Sequence, residues 1–127
     1  VIQADGGTRC ASITGSFIAL VDALRHLRER RALLALPIKD FVAATSVGLV
    51  GGVPVLDLNY AEDSSADVDM NVVMTGHGAF IELQGSGERT PLRPADLSRV
   101  LRLANTGIGH LVSLQRKTLG ASSVRQL

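Results

Sequence analysis

The segment Val68–Thr75 alternates along its whole length, with Val68, Met70, Val72 and Met74 on one side and Asp69, Asn71, Val73 and Thr75 on the other. A period of two is the geometry of a β-strand, whose successive side chains point to opposite faces. Such a strand needs neighbours for its backbone and a cover for its apolar face, so the chain must build a sheet and lay something across it. The same alternation sets Asp69 and Asn71 on one face.

Flanking segments are expected to supply the neighbours. Residues 39–50 are rich in small and β-branched side chains, as a well-buried strand would be, and Gly51-Gly52 reads as a hairpin turn into a strand over residues 53–60. Gly76-His77-Gly78 is a turn into a strand over residues 79–84, and residues 85–91 form a polar loop. A short apolar strand is expected at residues 1–4. Two helices complete the pattern. Over residues 9–31, Ile13, Phe17, Leu20, Val21, Leu24 and Leu27 recur at three- and four-residue spacing, and Gly15 would allow close packing. A last helix starts at Pro94, with Asp96 in its first turn and a buried stripe of Leu97, Val100, Leu101, Ala104, Ile108, Leu111 and Val112. Gly107 and Gly109 weaken it by about 1 kcal/mol each relative to Ala, which predicts a packing reason or a bend. Strand, helix, about four strands, helix is the order of an α+β domain whose sheet is covered by helices.

The chain has 127 residues and is 46% hydrophobic, enough for one domain with a real core. Its 13 basic and 12 acidic side chains leave a net charge of +1, so any polyanion must be met by local clusters. The single cysteine, Cys10, excludes an internal disulfide and fits a reducing cytoplasm, with packing near the helix start as its expected role. No apolar run reaches the roughly 18 residues of a membrane span, and no leader opens the chain. The lack of an initiating Met before a strand-like segment gives it the look of a fragment.

Chemistry concentrates at two places. Ala4-Asp5-Gly6-Gly7-Thr8-Arg9 lies where the opening segment meets the first helix. Freed N–H groups at a helix start favour an anion, glycine lets it approach the backbone, and an arginine can hold two phosphate oxygens. Paired glycines also serve as plain turns. Residues 57–69 hold five carboxylates in thirteen positions, which would repel one another without a cation, and Asp63 with Asp69 could supply a Mg²⁺ pair. A solvated acidic loop is the other reading. Arg25, Arg28, Arg30 and Arg31 form a basic helix end that suits the dipole or could guide RNA, and Arg116, Lys117 and Arg125 invite the same two readings, tail flexibility being the simpler. His26, His77 and His110 show no metal-ligand spacing, no serine sits in a nucleophile elbow, and the few aromatics argue against a base-stacking platform.

Taken together, residues 1–9 (VIQADGGTR), 11–15 (ASITG), 38–44 (IKDFVAA), 62–64 (EDS) and 69–76 (DMNVVMTG), in this order and spacing, resemble the ribonuclease PH family over about the second half of its chain. The resemblance implies a mixed sheet packed against helices. Residues 1–36 would be the closing strand and helix of the family's first domain, a ribosomal protein S5 domain 2-like element, and residues 37–127 its second exoribonuclease domain. It implies a phosphorolytic 3′-to-5′ exoribonuclease that trims tRNA precursors, with inorganic phosphate as nucleophile and nucleoside diphosphates released. Gly7, Thr8 and Arg9 would then bind phosphate, while Asp63 and Asp69 would hold Mg²⁺ and assist the leaving oxygen. Asp67 falls where the family tolerates other residues. The resemblance further implies a cytoplasmic homo-oligomer, a hexameric ring built as a trimer of dimers. This chain would be poorly active unless the missing N-terminal half is supplied as another chain. The rival expectations are a non-catalytic ring subunit that binds RNA and a hydrolytic nuclease using metal-bound water.

Overall fold

A computed structural model describes residues 2–120. Its elements are α1 (Thr8–Glu29), β1 (Val42–Val50), β2 (Val53–Leu56), α2 (Tyr60–Ser65), β3 (Val68–Thr75), β4 (Phe80–Gly87) and α3 (Pro94–Leu119). The strands form one sheet in the order β2-β1-β3-β4, every neighbouring pair antiparallel. The class is α+β as expected, but the sheet is not mixed: each described strand follows its partner by a turn or a short excursion, and no crossover makes a parallel pair.

The alternation of β3 is realised in full. Val68, Met70, Val72 and Met74 are buried against the side of the sheet covered by α3, where Val100, Ala104, Ile108 and Val112 meet Ala43, Val47 and Leu49 of β1. Burial of each such side chain contributes on the order of 2 kcal/mol. The opposite face carries Asp69, Asn71 and Val73, with Ala44, and receives Cys10 from the first turn of α1.

α1 then crosses the rim of the sheet. β2 pairs only with the second half of β1, Val47 to Val50, so the outer backbone groups earlier in β1 need other partners. Thr14 Oγ1 accepts from Ala44 N at 3.0 Å and donates to Ala44 O at 3.1 Å. Gln115 of α3 donates from Nε2 to Val42 O at 2.9 Å and to Thr14 O at 3.0 Å, and Asp57 N donates to Ser46 O at 2.8 Å. Two side chains thus replace an edge strand and lock both long helices to β1. Phe17 and Phe41, with ring centroids 5.5 Å apart, fill the space beneath the helix.

Several expectations need correction. Residues 2–4 form no strand, and Val1 lies outside the described residues, as does Arg125. The strand after the hairpin ends at Leu56, because Asp57 turns left-handed (φ 57) and leads into α2. β4 runs on to Gly87, through part of the expected polar loop. On α1 the buried residues are Cys10, Phe17 and Val21, whereas Leu20 and Leu27 are exposed and a Cβ added at Gly15 would meet nothing within 4 Å. Gly107 does have its packing reason, since a Cβ there would lie 2.6 Å from Leu56 Cδ1, while Gly109 faces open space. Arg116 is no part of a flexible tail: its guanidinium stacks over Phe41, 5.1 Å from the ring centroid. Among the described residues no helix is long and apolar enough to cross a membrane.

Candidate functional site

The loop before α1 and the helix α2 are built as one unit. α2 has a complete capping box, in which Asn59 accepts from Glu62 N while Glu62 reaches back to Asn59 N, each at 3.0 Å. Its first residue, Tyr60, donates from N to Asp5 Oδ1 at 2.7 Å, so a side chain from the opening loop holds the start of the helix that carries Asp63. Gly6 makes this possible. A Cβ at Gly6 would be driven into the carbonyl of Leu58 and lie 2.9 Å from Asn59 C, so only glycine lets the two backbones pass.

Gly7 caps α1 in the left-handed region (φ 67, ψ 20), a conformation natural to glycine. No side chain caps this end, and its first turn holds no acidic residue. The leading N–H groups of α1, beginning with Thr8, therefore face outward with the positive end of the helix dipole behind them. Arg9 follows on the first turn. Its Nη1 donates to Gln84 Oε1 at 2.7 Å and its Nη2 to Glu82 Oε1 at 2.6 Å, both on β4. The next residue, Cys10, donates to Asn71 Oδ1 on β3 at 2.9 Å.

Register explains why these groups meet. Asn71 pairs with Gln84, Val73 with Glu82 and Asp69 with Ser86, so Asp69, Asn71, Gln84 and Glu82 share the face that receives the first turn of α1. Asp69 lies two positions from Asn71, about 7 Å along the strand. A small polar cleft of about 160 Å³ is lined by Asp69, Asn71, Gln84, Gly85 and Ser86. A larger one of about 470 Å³ is lined by Asp63, Ser64, Ala66, Asp69, Glu88 and Arg89. Asp69 belongs to both, and Gln84 links the first to Arg9. Gly7 faces a separate groove of about 560 Å³ between α1 and α3, shared with Gly6, Cys10 and Asp57.

The electrostatics follow from this crowding. Burial raises the Asp69 carboxyl above its ordinary value, and the charges of Asp63 and Glu88 raise it further. Burial pushes the Cys10 thiol up to about 11, against the pull of Arg9, so Cys10 is a packing residue as expected. Among the described residues no three His, Cys, Asp or Glu side chains converge as a metal cage. Two carboxylates that repel each other beside a polar cleft still suit Mg²⁺, which takes one or two carboxylates and fills its shell with water and substrate phosphate.

The structure thus joins Asp63 to Asp69 and sets Arg9 on the same face, while Gly7 and Thr8 lie at the uncapped start of the helix that carries Arg9. Sequence reasoning set Asn71 beside Asp69 without giving it a role, and missed Glu82, Gln84, Glu88 and Arg89. The alternation Glu82-Leu83-Gln84 was a readable sign of a polar strand face, but which helix it meets depends on register. The arginines at the end of α1 have structural duties in part: Arg25 pairs with Asp22 at 2.9 Å and donates to Leu119 O at 3.0 Å.

Residues 40–107 match the model of the 3′ exoribonuclease family, domain 2. A ribonuclease PH of Solibacter usitatus (strain Ellin6076) is 60% identical over 119 residues, covering 94% of this chain and 50% of that protein. One of Syntrophomonas wolfei subsp. wolfei is 57% identical over 120 residues, again covering 94% of this chain and 50% of that protein. The chain therefore spans about half the length of these relatives. A crystal structure of rice (Oryza sativa) Rrp46 superposes with a TM-score of 0.72 over 91% of this chain and 49% of that one, and at 21% identity it speaks to the fold alone.

Proposed function

Through residues 40–107 the chain belongs to the 3′ exoribonuclease family, domain 2, and from that premise we propose that it supplies the catalytic half of a phosphate-dependent 3′-to-5′ exoribonuclease. Its substrate is the 3′ end of RNA, tRNA precursors foremost. One observation carries the reading: Arg9, on the first turn of an uncapped helix, and Asp69, a carboxylate with its proton affinity raised, stand on one sheet face.

In this reaction an oxygen of inorganic phosphate forms a bond to the terminal phosphorus as the bond from that phosphorus to the preceding O3′ breaks. A nucleoside diphosphate leaves, and the shortened RNA takes a proton on its O3′. Gly7 and Thr8 offer backbone N–H groups to the phosphate, and Arg9 orients it for in-line attack. Asp69 assists the departing O3′, its raised proton affinity suiting that task. Asp63 and Asp69 would hold Mg²⁺, which when bound supplies positive charge for the negative charge that gathers at phosphorus.

The relatives are twice as long, and their other half completes the enzyme in this proposal. Residues 1–36 belong with that half and residues 37–127 form the second exoribonuclease domain, a division supported by the family match beginning at residue 40. The working assembly in this proposal is a cytoplasmic hexameric ring, a trimer of dimers, as the resemblance to the ribonuclease PH family implies.

The test uses the whole enzyme containing this chain, a 3′-tailed tRNA and Mg²⁺, with and without phosphate. Diphosphates formed only with phosphate support the proposal. Monophosphates formed without it mean hydrolysis, and RNA binding with no product means a non-catalytic ring subunit; either result refutes it. Arg9→Ala should raise the phosphate KM, and Asp69→Ala should remove turnover while RNA still binds.

A further inference from the structure

Arg9 does not reach its phosphate from a free side chain. Its two terminal nitrogens are already engaged by Gln84 Oε1 (2.7 Å) and Glu82 Oε1 (2.6 Å), on alternate positions of β4. A guanidinium has five N–H donors in a rigid plane, so two bonds from one strand fix the orientation of the whole group. Three donors remain for an anion. The contacts are half exposed, with side chains of Arg9 and Glu82 at 46% and 41% accessibility, so they contribute little to global stability. Their value must lie in where they hold the arginine. β4 in turn is registered to β3, which holds Cys10 through Asn71 and carries Asp69 on the same face.

Resting on the phosphorolytic reading above, we propose that Glu82 and Gln84 are positioning residues for phosphate: they aim the Arg9 guanidinium so that its remaining donors meet the attacking anion beside the start of α1. Neither touches the reacting atoms. Glu82 has a second physical option, since a carboxylate this close to an arginine can compete with an incoming anion for it. The two roles predict opposite signs. Positioning makes phosphate binding weaker when the side chain is removed; competition makes it tighter.

Steady-state phosphorolysis by the whole enzyme separates them. Glu82→Ala and Gln84→Ala are each expected to raise the phosphate KM about tenfold, the size of loss seen when the partner that orients a metal ligand is removed, with the RNA KM unchanged. Glu82→Gln keeps an acceptor in place and should recover most of that loss. Unfolding midpoints should stay close to wild type in all three, because the contacts are exposed. A lower phosphate KM in Glu82→Ala, an unchanged one, or an equal rise in both KM values would overturn the proposal. Wild-type turnover that does not depend on phosphate would refute the phosphorolytic reading, and this inference with it, before any variant is made.

Discussion

Replacing Gly6 by alanine is the sharpest test of how the opening loop is held. A Cβ at this position would lie 2.8 Å from Leu58 C, where ordinary contact begins at about 3.4 Å, and would intrude further still on Leu58 O. Something must retreat by at least about 0.6 Å. Leu58 cannot give way easily: it is 1% exposed and packs over Gly48, where even a Cβ would come within 3.1 Å of its Cδ2. The loop therefore lifts, and the 2.7 Å bond from Tyr60 N to Asp5 Oδ1 stretches with it. Loss of that charge-assisted bond together with the overpacking costs about 1–3 kcal/mol, read by urea titration. A displacement of 1 Å in a reacting group can cost about a hundredfold in rate, so a shift of this size at the adjacent Gly7 and Thr8 should weaken phosphate use by about tenfold or more. The assay is the phosphate KM of the whole enzyme at saturating RNA. Gly15→Ala serves as control, since it adds a methyl to open space on α1 and should leave KM unchanged. A Gly6→Ala enzyme with phosphate KM within twofold of wild type would show that the loop position is not what organises the site.

The raised carboxyl of Asp69 makes a prediction with a definite sign. Because its folded pKa lies above the unfolded one, ionising it opposes folding as pH rises through the folded value, so Asp69→Asn should be more stable than wild type at neutral pH and lose that advantage below pH ~4 in denaturant titrations, while turnover disappears. Gly109→Ala in α3 should stabilise the fold by about 1 kcal/mol, whereas Gly107→Ala should gain nothing because the added methyl meets Leu56; thermal and chemical unfolding of the pair decides it. Gln115→Ala should cost about 2 kcal/mol, since it strips donors from Val42 O and Thr14 O, and stability indistinguishable from wild type would mean water replaces the amide at the sheet rim.

What could be read in advance followed from strict periodicity and strong punctuation. β3 was recovered to the residue because both its faces are packed against different things, which forces the alternation into the sequence, and α3 was marked by Pro94 and a continuous stripe. Residues 2–4 misled because an apolar run signals a strand only when another strand pairs with it, and none of the four described strands does. α2 hid inside an acidic segment that reads as a loop by charge; its signal was the Asn59 and Glu62 capping pair. Asp63 and Asp69 stood out as carboxylates, but Glu82 and Gln84 could not be tied to Arg9 without knowing that Asn71 faces Gln84 across the strands. Exposed Leu20 and Leu27 kept helical spacing without a surface to meet, which pattern alone does not distinguish from burial.

Asn71, which receives the first helix through Cys10, and Asp69, the proposed acid, stand on alternate positions of a central strand gripped from both edges. The interval between the first turn of α1 and the proposed acid is therefore set by the spacing of a strand in the folding core. Descendants of such a scaffold that abandon chemistry would do so by swapping a side chain, keeping the vacant geometry intact, so an inactive relative should be restorable by point substitution.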